Sequence, residues 1–325
     1  MTDINPDATA PADAAPDHDR AARVSAADYV RALFRDRVTA AAALFLLALL
    51  IAAGGADILA PHDPGMANLR ARLVPPLTTG GDGVFYLLGT DELGRDQLSR
   101  LMFGARVSMS IGILGATCSA LVGITLGILA GYYRGPLEDV LMRAVDGMLA
   151  LPSLLIALFI LFVIGAGFVN LILVFTLLHW MIFARMARSL TLTYRENTYI
   201  TAARAIGAGD RRIITTHLLP NMVSPLLVLF TLEIAVLILS EASLSFLGFG
   251  VQPPQSSWGL MIARGREYIS SAWWLVVLPG LAIFLAALSL NLAAAWARAV
   301  SDPVQRWRWL TPPAKKAGTD EEAST

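Results

Sequence analysis

From about residue 39 to residue 297, long apolar runs alternate with short polar connections marked by glycine, proline and arginine. A bilayer core about 30 Å thick is crossed by about 20 apolar helical residues. Six runs meet that length, at about 39–59, 107–130, 140–164, 169–185, 222–239 and 273–297. Backbone in lipid must satisfy its own hydrogen bonds, so the runs are helices and not strands. The expected fold class is an all-α membrane protein with six transmembrane helices. Residues 1–27, rich in Ala, Asp and Pro, lack the basic start and immediate apolar core of a cleavable signal, and are expected to be a disordered tail. A second tail is expected over 304–325, and an amphipathic lead-in begins at residue 28.

Composition supports the membrane reading. Of 325 residues, 56% are hydrophobic and only 15% charged, well below the charge content of soluble domains. The formal net charge is +0, so no global field would recruit nucleic acid. The one cysteine, Cys118, lies in an apolar run and reads as a small core- or lipid-facing residue.

The distribution of charge orients the chain. With six spans both termini share a side. Most of the 25 lysines and arginines fall in the tails, in the connection after span two and in the one after span four. The other side holds Arg70, Arg72, Arg95, Arg100, Arg106, Arg264 and Arg266. The positive-inside rule therefore places both termini in the cytoplasm. Trp273 and Trp274 would begin span six at the outer interface.

Several chemistries find no support in the sequence. Its only lysines, Lys315 and Lys316, lie in the tail without the glycines of a phosphate-binding loop. His18, His62, His179 and His217 are far apart, and no HExxH pair or GxSxG elbow occurs. No catalytic, cofactor or metal site is expected in this chain.

Charges inside membrane runs are functional candidates. Glu233 falls in the middle of span five, where it either lines a translocation path or packs at an interface with a second subunit. Asp146 is expected to pair with Arg143, one turn away, and His179 to make a packing hydrogen bond. On the outer side, Asp91, Glu92, Arg95, Asp96 and Arg100 are close enough in sequence to form an ion-pair set at a structured mouth. The bland alternative is a solvated loop with weak surface pairs. Residues 240–271, interrupted by Gly248, Gly250, Pro253, Pro254 and Gly259, are expected to form a short helix or re-entrant piece.

The longest internal cytoplasmic connection contains TAARAIGAGDRR, Thr201 to Arg212. Tyr199, Ala203 and Ile206 fall on one semi-apolar helical face. Gly207-Ala208-Gly209 ends that helix, Asp210 can cap a second, and Pro220 and Asn221 stop it before span five. This periodicity fits either a rigid element seated in a groove of another protein or an amphipathic helix on the membrane surface.

These residues resemble the EAA loop of ABC importer permeases: EAA, three residues, G, nine residues, then I-x-LP. Here Thr201-Ala202-Ala203, Gly207 and Leu219-Pro220 match, while Thr201 replaces the usual Glu and His217 the usual Ile. LGTDELGRDQLSRLMFGARVS (88–108), EASLSFLGFGVQPPQSSWGLMI (241–262) and Ala60-Pro61-His62-Asp63-Pro64 are similar to further blocks of the C-type permease in dipeptide, oligopeptide and nickel importers. The resemblance runs in order over about residues 30–303. It implies a type I ABC importer permease fold, with residues 28–103 carrying the lead-in, first helix and extracytoplasmic segment, and 104–303 the permease transmembrane domain.

The resemblance further implies a multi-pass inner-membrane subunit that docks cytoplasmic ATPases through Tyr199, Thr201, Ala202, Ala203, Ile206, Gly207, Asp210, Arg211, Leu219 and Pro220. ATP and Mg would reside on two ATPase subunits or a fused pair. A B-type permease would complete the path, and an extracytoplasmic binding protein would deliver peptides or a related small solute. The alternative is a proton-coupled secondary transporter using Glu233, Asp146 and His179, which would show inverted repeats.

Overall fold

A computed structural model describes residues 33–301 except residue 35. The expected tails, 1–27 and 304–325, lie outside the described residues. Asp36 opens the first helix, α1 (Arg37–Gly54), by accepting from the Val38 and Thr39 amides. Gly55 interrupts it, and a single turn, α2 (Ala56–Leu59), completes the run. The chain then forms a small extramembrane unit containing a two-stranded hairpin, β1 (Thr78–Thr79) and β2 (Phe85–Tyr86), paired antiparallel.

Asp96 caps α3 (Gln97–Tyr133) by accepting from the Ser99 amide at 2.9 Å. At 37 residues α3 is about 55 Å long and extends beyond a bilayer core at its ends. Hydropathy located its apolar middle but missed its polar first turns. Next come α4 (Pro136–Leu149), α5 (Ser153–Ile164), α6 (Phe168–Arg195) and α7 (Thr198–Ala205). The remaining elements are α8 (Asp210–Phe246), α9 (Trp258–Gly265) and α10 (Trp274–Ser301). The short α9 occupies the interval where a short helix or re-entrant piece is expected.

Among the described residues, five helices (α1, α3, α6, α8 and α10) are each long and apolar enough to cross a membrane, and there are six if the bent α4–α5 pair is counted as one span. That pair corrects the continuous third span expected over 140–164. The chain turns by 90° at Ala150-Leu151-Pro152. Proline lacks the amide a continuing helix needs and pushes the preceding residue out of helical backbone. The halves also differ in chemistry. Glu138, Asp139, Arg143 and Asp146 make α4 amphipathic, whereas α5 is apolar throughout after Ser153, with Leu155, Phe159 and Phe162 exposed. Asp146 pairs with Arg185 of α6 at 2.5 Å, not with the expected Arg143, because α4 lies against the end of α6. Glu138 pairs with Arg188 of the same helix.

The main core joins α3, α6, α8, α9 and α10 through Ile111, Phe175, Leu237, Ile238, Trp258 and Ile283. Close approach of α3 to α6 rests on Gly123, Gly127 and Gly131, spaced four apart along one helix face. A Cβ at Gly123 would lie 2.1 Å from the Trp180 carbonyl oxygen, and one at Gly127 only 2.3 Å from that of Ala184. Without a solvent-driven hydrophobic effect, such small-residue contact lets helix backbones pack closely enough for dispersion to hold them. A second core sits where α3 and α6 end and α7 and α8 begin, built from Ile128, Tyr132, Ala187, Ile200, Ile213, Leu218 and Met222.

Candidate functional site

The 199–220 loop is seated on this second core. Thr198–Ala205 forms one short helix, and its end is closed by two backbone bonds: the Gly207 amide donates to the Arg204 carbonyl, and the Ala208 amide to that of Ala203. Gly207 takes φ +86°, the left-handed conformation this closure requires. Ile200 and Ala203 point inward. Tyr199 is 43% exposed and Ile206 87%, so the expected face of Tyr199, Ala203 and Ile206 is split. The helix rests on Ile200, which packs with Ile213 and Leu218 in the second core, and on the buried Ala203 one turn on. Thr201 and Ala202 are exposed beside Tyr199.

Two further expectations are corrected here. Asp210 does not cap the second helix. Gly209 occupies the cap position, and the Asp210 carboxylate accepts a 2.6 Å hydrogen bond from the Tyr132 hydroxyl. Pro220 and Asn221 do not end that helix either. That helix is α8 itself, which runs past them after a π-helical stretch at Ile213–Leu218. A wider turn accommodates the register around a proline that cannot donate, and the Asn221 side chain covers the His217 carbonyl at 2.6 Å. Arg211, Leu219 and Pro220 remain exposed.

At the other end of α3, about 55 Å away by helix rise, the expected mouth residues come together. Asp91 accepts from the Leu93 and Arg95 amides at 2.9 Å, and from the Arg95 guanidinium at 2.7 Å. The buried Arg100 approaches the same carboxylate at 3.3 Å. Glu92 lies between Arg95 at 3.2 Å and Arg264 of α9 at 3.8 Å. Asp96 caps α3 and lies 3.6 Å from His62. The loop turns at Gly94, φ +75°, where a Cβ would overlap the Asn68 carbonyl oxygen. Trp274 Nε1 donates to the Thr90 carbonyl, tying this unit to α10.

Beside it, Asp82 of the hairpin accepts from Tyr86, Val84 and Asn68. The Tyr86 hydroxyl holds the Asp82 carboxyl below the usual carboxylate range. Burial, then the Asp82 carboxylate, push Tyr86 up to about 12.

Inside the bundle, Glu233 faces His179 of α6 at 2.9 Å, and both are buried. Its side chain is thus turned into the chain's own helices. A second buried carboxyl, Glu241, was passed over in the sequence because it sits at the edge of an apolar run. It accepts from Ser108 of α3 at 3.1 Å and Ser245 at 2.6 Å, and Ser108 Oγ also accepts from the Trp258 amide. This cluster joins α3, α8 and α9. The four-residue spacing of Gly123, Gly127 and Gly131 was the legible signal for the α3–α6 contact.

The chain thus has two closely packed ends, one presenting a short exposed helix and the other a charged mouth. Residues 123–307 match the family described as binding-protein-dependent transport system inner membrane component. The chain belongs to this family. A di/tripeptide transport system permease of Pseudomonas aeruginosa is 43% identical over 260 residues, covering 80% of this chain and 86% of that protein. A glutathione transport system permease of Pectobacterium atrosepticum is 37% identical over 285 residues, covering 88% and 93%. A dipeptide permease of Haemophilus influenzae is 35% identical over 260 residues, covering 80% and 88%. The chain is therefore a multi-pass permease subunit of an ABC importer, with the type I fold expected of it. The proton-coupled alternative finds no support among these relatives.

Proposed function

We propose that this permease forms half of the path of a peptide importer and receives its energy through α7. The observation that carries the docking reading is the division of that helix. Ile200 and Ala203 fix it to the bundle, while Tyr199, Thr201, Ala202 and Ile206 face outward. A short helix held rigidly from beneath transmits a push, where a solvated loop would absorb it. ATP and Mg belong to two ATPase subunits or a fused pair, which close on nucleotide and open after hydrolysis. A second, B-type permease completes the path, and an extracytoplasmic binding protein releases solute over the Asp91–Arg100 mouth. The distribution of arginine supports a topology with both termini, and α7, in the cytoplasm. ATPase closure shifts the permease pair between inward- and outward-facing states because the docked ATPases contact the two differently. The peptide reading is supported by the names of the relatives, which carry dipeptides, tripeptides or glutathione.

The test is reconstitution of the permease pair with its ATPases and binding protein in proteoliposomes. ATP-dependent uptake of labelled dipeptide is expected, and uptake of nickel alone would overturn the peptide reading. Ala202→Asp, at the exposed centre of α7, is expected to abolish co-purification of the ATPases. Retained co-purification would overturn the docking reading.

A further inference from the structure

Tyr132 stands where four elements meet. It lies in the last turn of α3, is 4% exposed, and belongs to the second core. Its hydroxyl donates to Asp210 at the start of α8 at 2.6 Å. The Arg204 guanidinium of α7 lies 5.2 Å from its ring centroid, and that of Arg195, at the end of α6, lies at 5.9 Å. Arg195 also donates to the Tyr132 carbonyl at 2.5 Å and the Gly131 carbonyl at 3.2 Å, covering carbonyls that the end of α3 leaves without helical partners. Bonds between a hydroxyl and a carboxylate are short and stronger than neutral ones.

The geometry points to Tyr132 as a positioning residue that passes displacement of the docking loop into α3 through its hydrogen bond to Asp210. This inference rests on the docking reading above. Two covalent routes lead from the loop into the membrane: α6, one 28-residue helix ending two residues before α7, and α8, which contains the π-helical stretch at Ile213–Leu218 and Pro225 within its helix. Both features make α8 a bendable path, and α6 does not lead into the Asp91–Arg100 mouth. By contrast, α3 is one uninterrupted helix of 37 residues, packed through glycines against α6 and ending in the Asp91–Arg100 mouth. A push delivered to its Tyr132 end is carried to the mouth without an intervening hinge. The ring itself is held by packing and two guanidinium groups. The hydroxyl is the part that links it to Asp210.

The two roles of the residue separate on substitution. Tyr132→Phe keeps the ring, its core contacts and the cations over it, and removes the hydroxyl with its bond to Asp210. In the reconstituted complex, the readout is labelled dipeptide imported per ATP hydrolysed. Tyr132→Phe is expected to retain bound, hydrolysing ATPases while that ratio falls about ten-fold, as loss of one charge-assisted hydrogen bond allows. Asp210→Ala is expected to lower the ratio to the same level, and the double variant no further. Asp210→Asn, whose amide oxygen still accepts, is expected to keep most of the coupling. An unchanged ratio in Tyr132→Phe, or additive losses in the double variant, overturns the proposal. So does loss of the ATPases from Tyr132→Phe, which would make the residue part of the docking foundation. ATPases retained by Ala202→Asp mark failure of the docking reading itself, and overturn both.

Discussion

The carboxylate of Glu233 lies 2.9 Å from Nδ1 of His179, with the glutamate 6% and the histidine 8% exposed. The pair joins α8 to α6 inside the bundle. Breaking a buried pair from one side leaves the other group without a partner, at a cost of about 3–5 kcal/mol for a charge and less for a neutral group. His179→Ala is expected to lower the thermal midpoint of the detergent-purified protein clearly, and Glu233→Gln only slightly, because a carboxamide still bonds the imidazole. Equal losses from the two variants would show that the histidine is not the partner that matters.

Glycines on α3 lead to a packing prediction. A leucine at Gly127 would drive side-chain atoms into the Ala184 backbone, where even a Cβ lies 2.3 Å from the carbonyl oxygen. Overpacking of this kind costs about 1–3 kcal/mol or more. Gly127→Leu is expected to reduce folded yield sharply. Gly147→Leu, at a helical glycine with open space around it, serves as the control and is expected to be mild.

Asp91 and Arg100 make a similar case outside the bundle. Both are buried, and Asp91 also bonds Arg95 and two backbone amides. Asp91→Ala removes every one of these acceptors and leaves Arg100 buried, so a loss of about 3–5 kcal/mol is expected. Limited proteolysis between residues 60 and 96 would register it as faster cleavage. Glu92→Ala, at a more accessible pair, is expected to change cleavage little.

The hairpin responds to acid. Donation from Tyr86 lowers the folded-state pKa of Asp82 below its unfolded value. Stability from this group is therefore present above the unfolded carboxylate pKa and lost as pH falls through the lowered one. Hydrogen exchange at the Gly80 and Val84 amides is expected to gain an acid-side acceleration beyond the intrinsic rate. Asp82→Asn is expected to remove that pH dependence; its persistence would assign the effect to another group.

Topology follows from charge and can be tested directly. In a Cys118→Ala background, Thr78→Cys is expected to react with a membrane-impermeant maleimide in intact spheroplasts. Thr201→Cys is expected to react only after lysis. The reverse pattern would place α7 outside the cytoplasm.

The legible part of the site was local. Gly207 as a helix terminator and the clustering of Asp91, Glu92, Arg95 and Asp96 depend on residues within a few positions of each other. What escaped involved partners far away in sequence. Asp210 reads as a cap because capping is its commonest local use, yet Tyr132, 78 positions earlier, reaches its carboxylate first. Asp146 likewise turns from Arg143 to Arg185, 39 residues on. Glu241 gave no signal until Ser108, 133 residues away, was placed beside it.

Apolar length and the cost of unpaired backbone in lipid determined, from sequence alone, that this chain is a set of membrane helices, and its motifs determined the family. Local turn chemistry determined where α7 ends. Only tertiary structure decided that the third run bends by 90°, that α8 continues through Pro220, and that α7 rests on Ile200 and Ala203 with Ile206 facing out. Hydropathy reports how much apolar surface a segment carries. Which side of that surface is covered depends on the helices packed against it, and those come from distant parts of the chain.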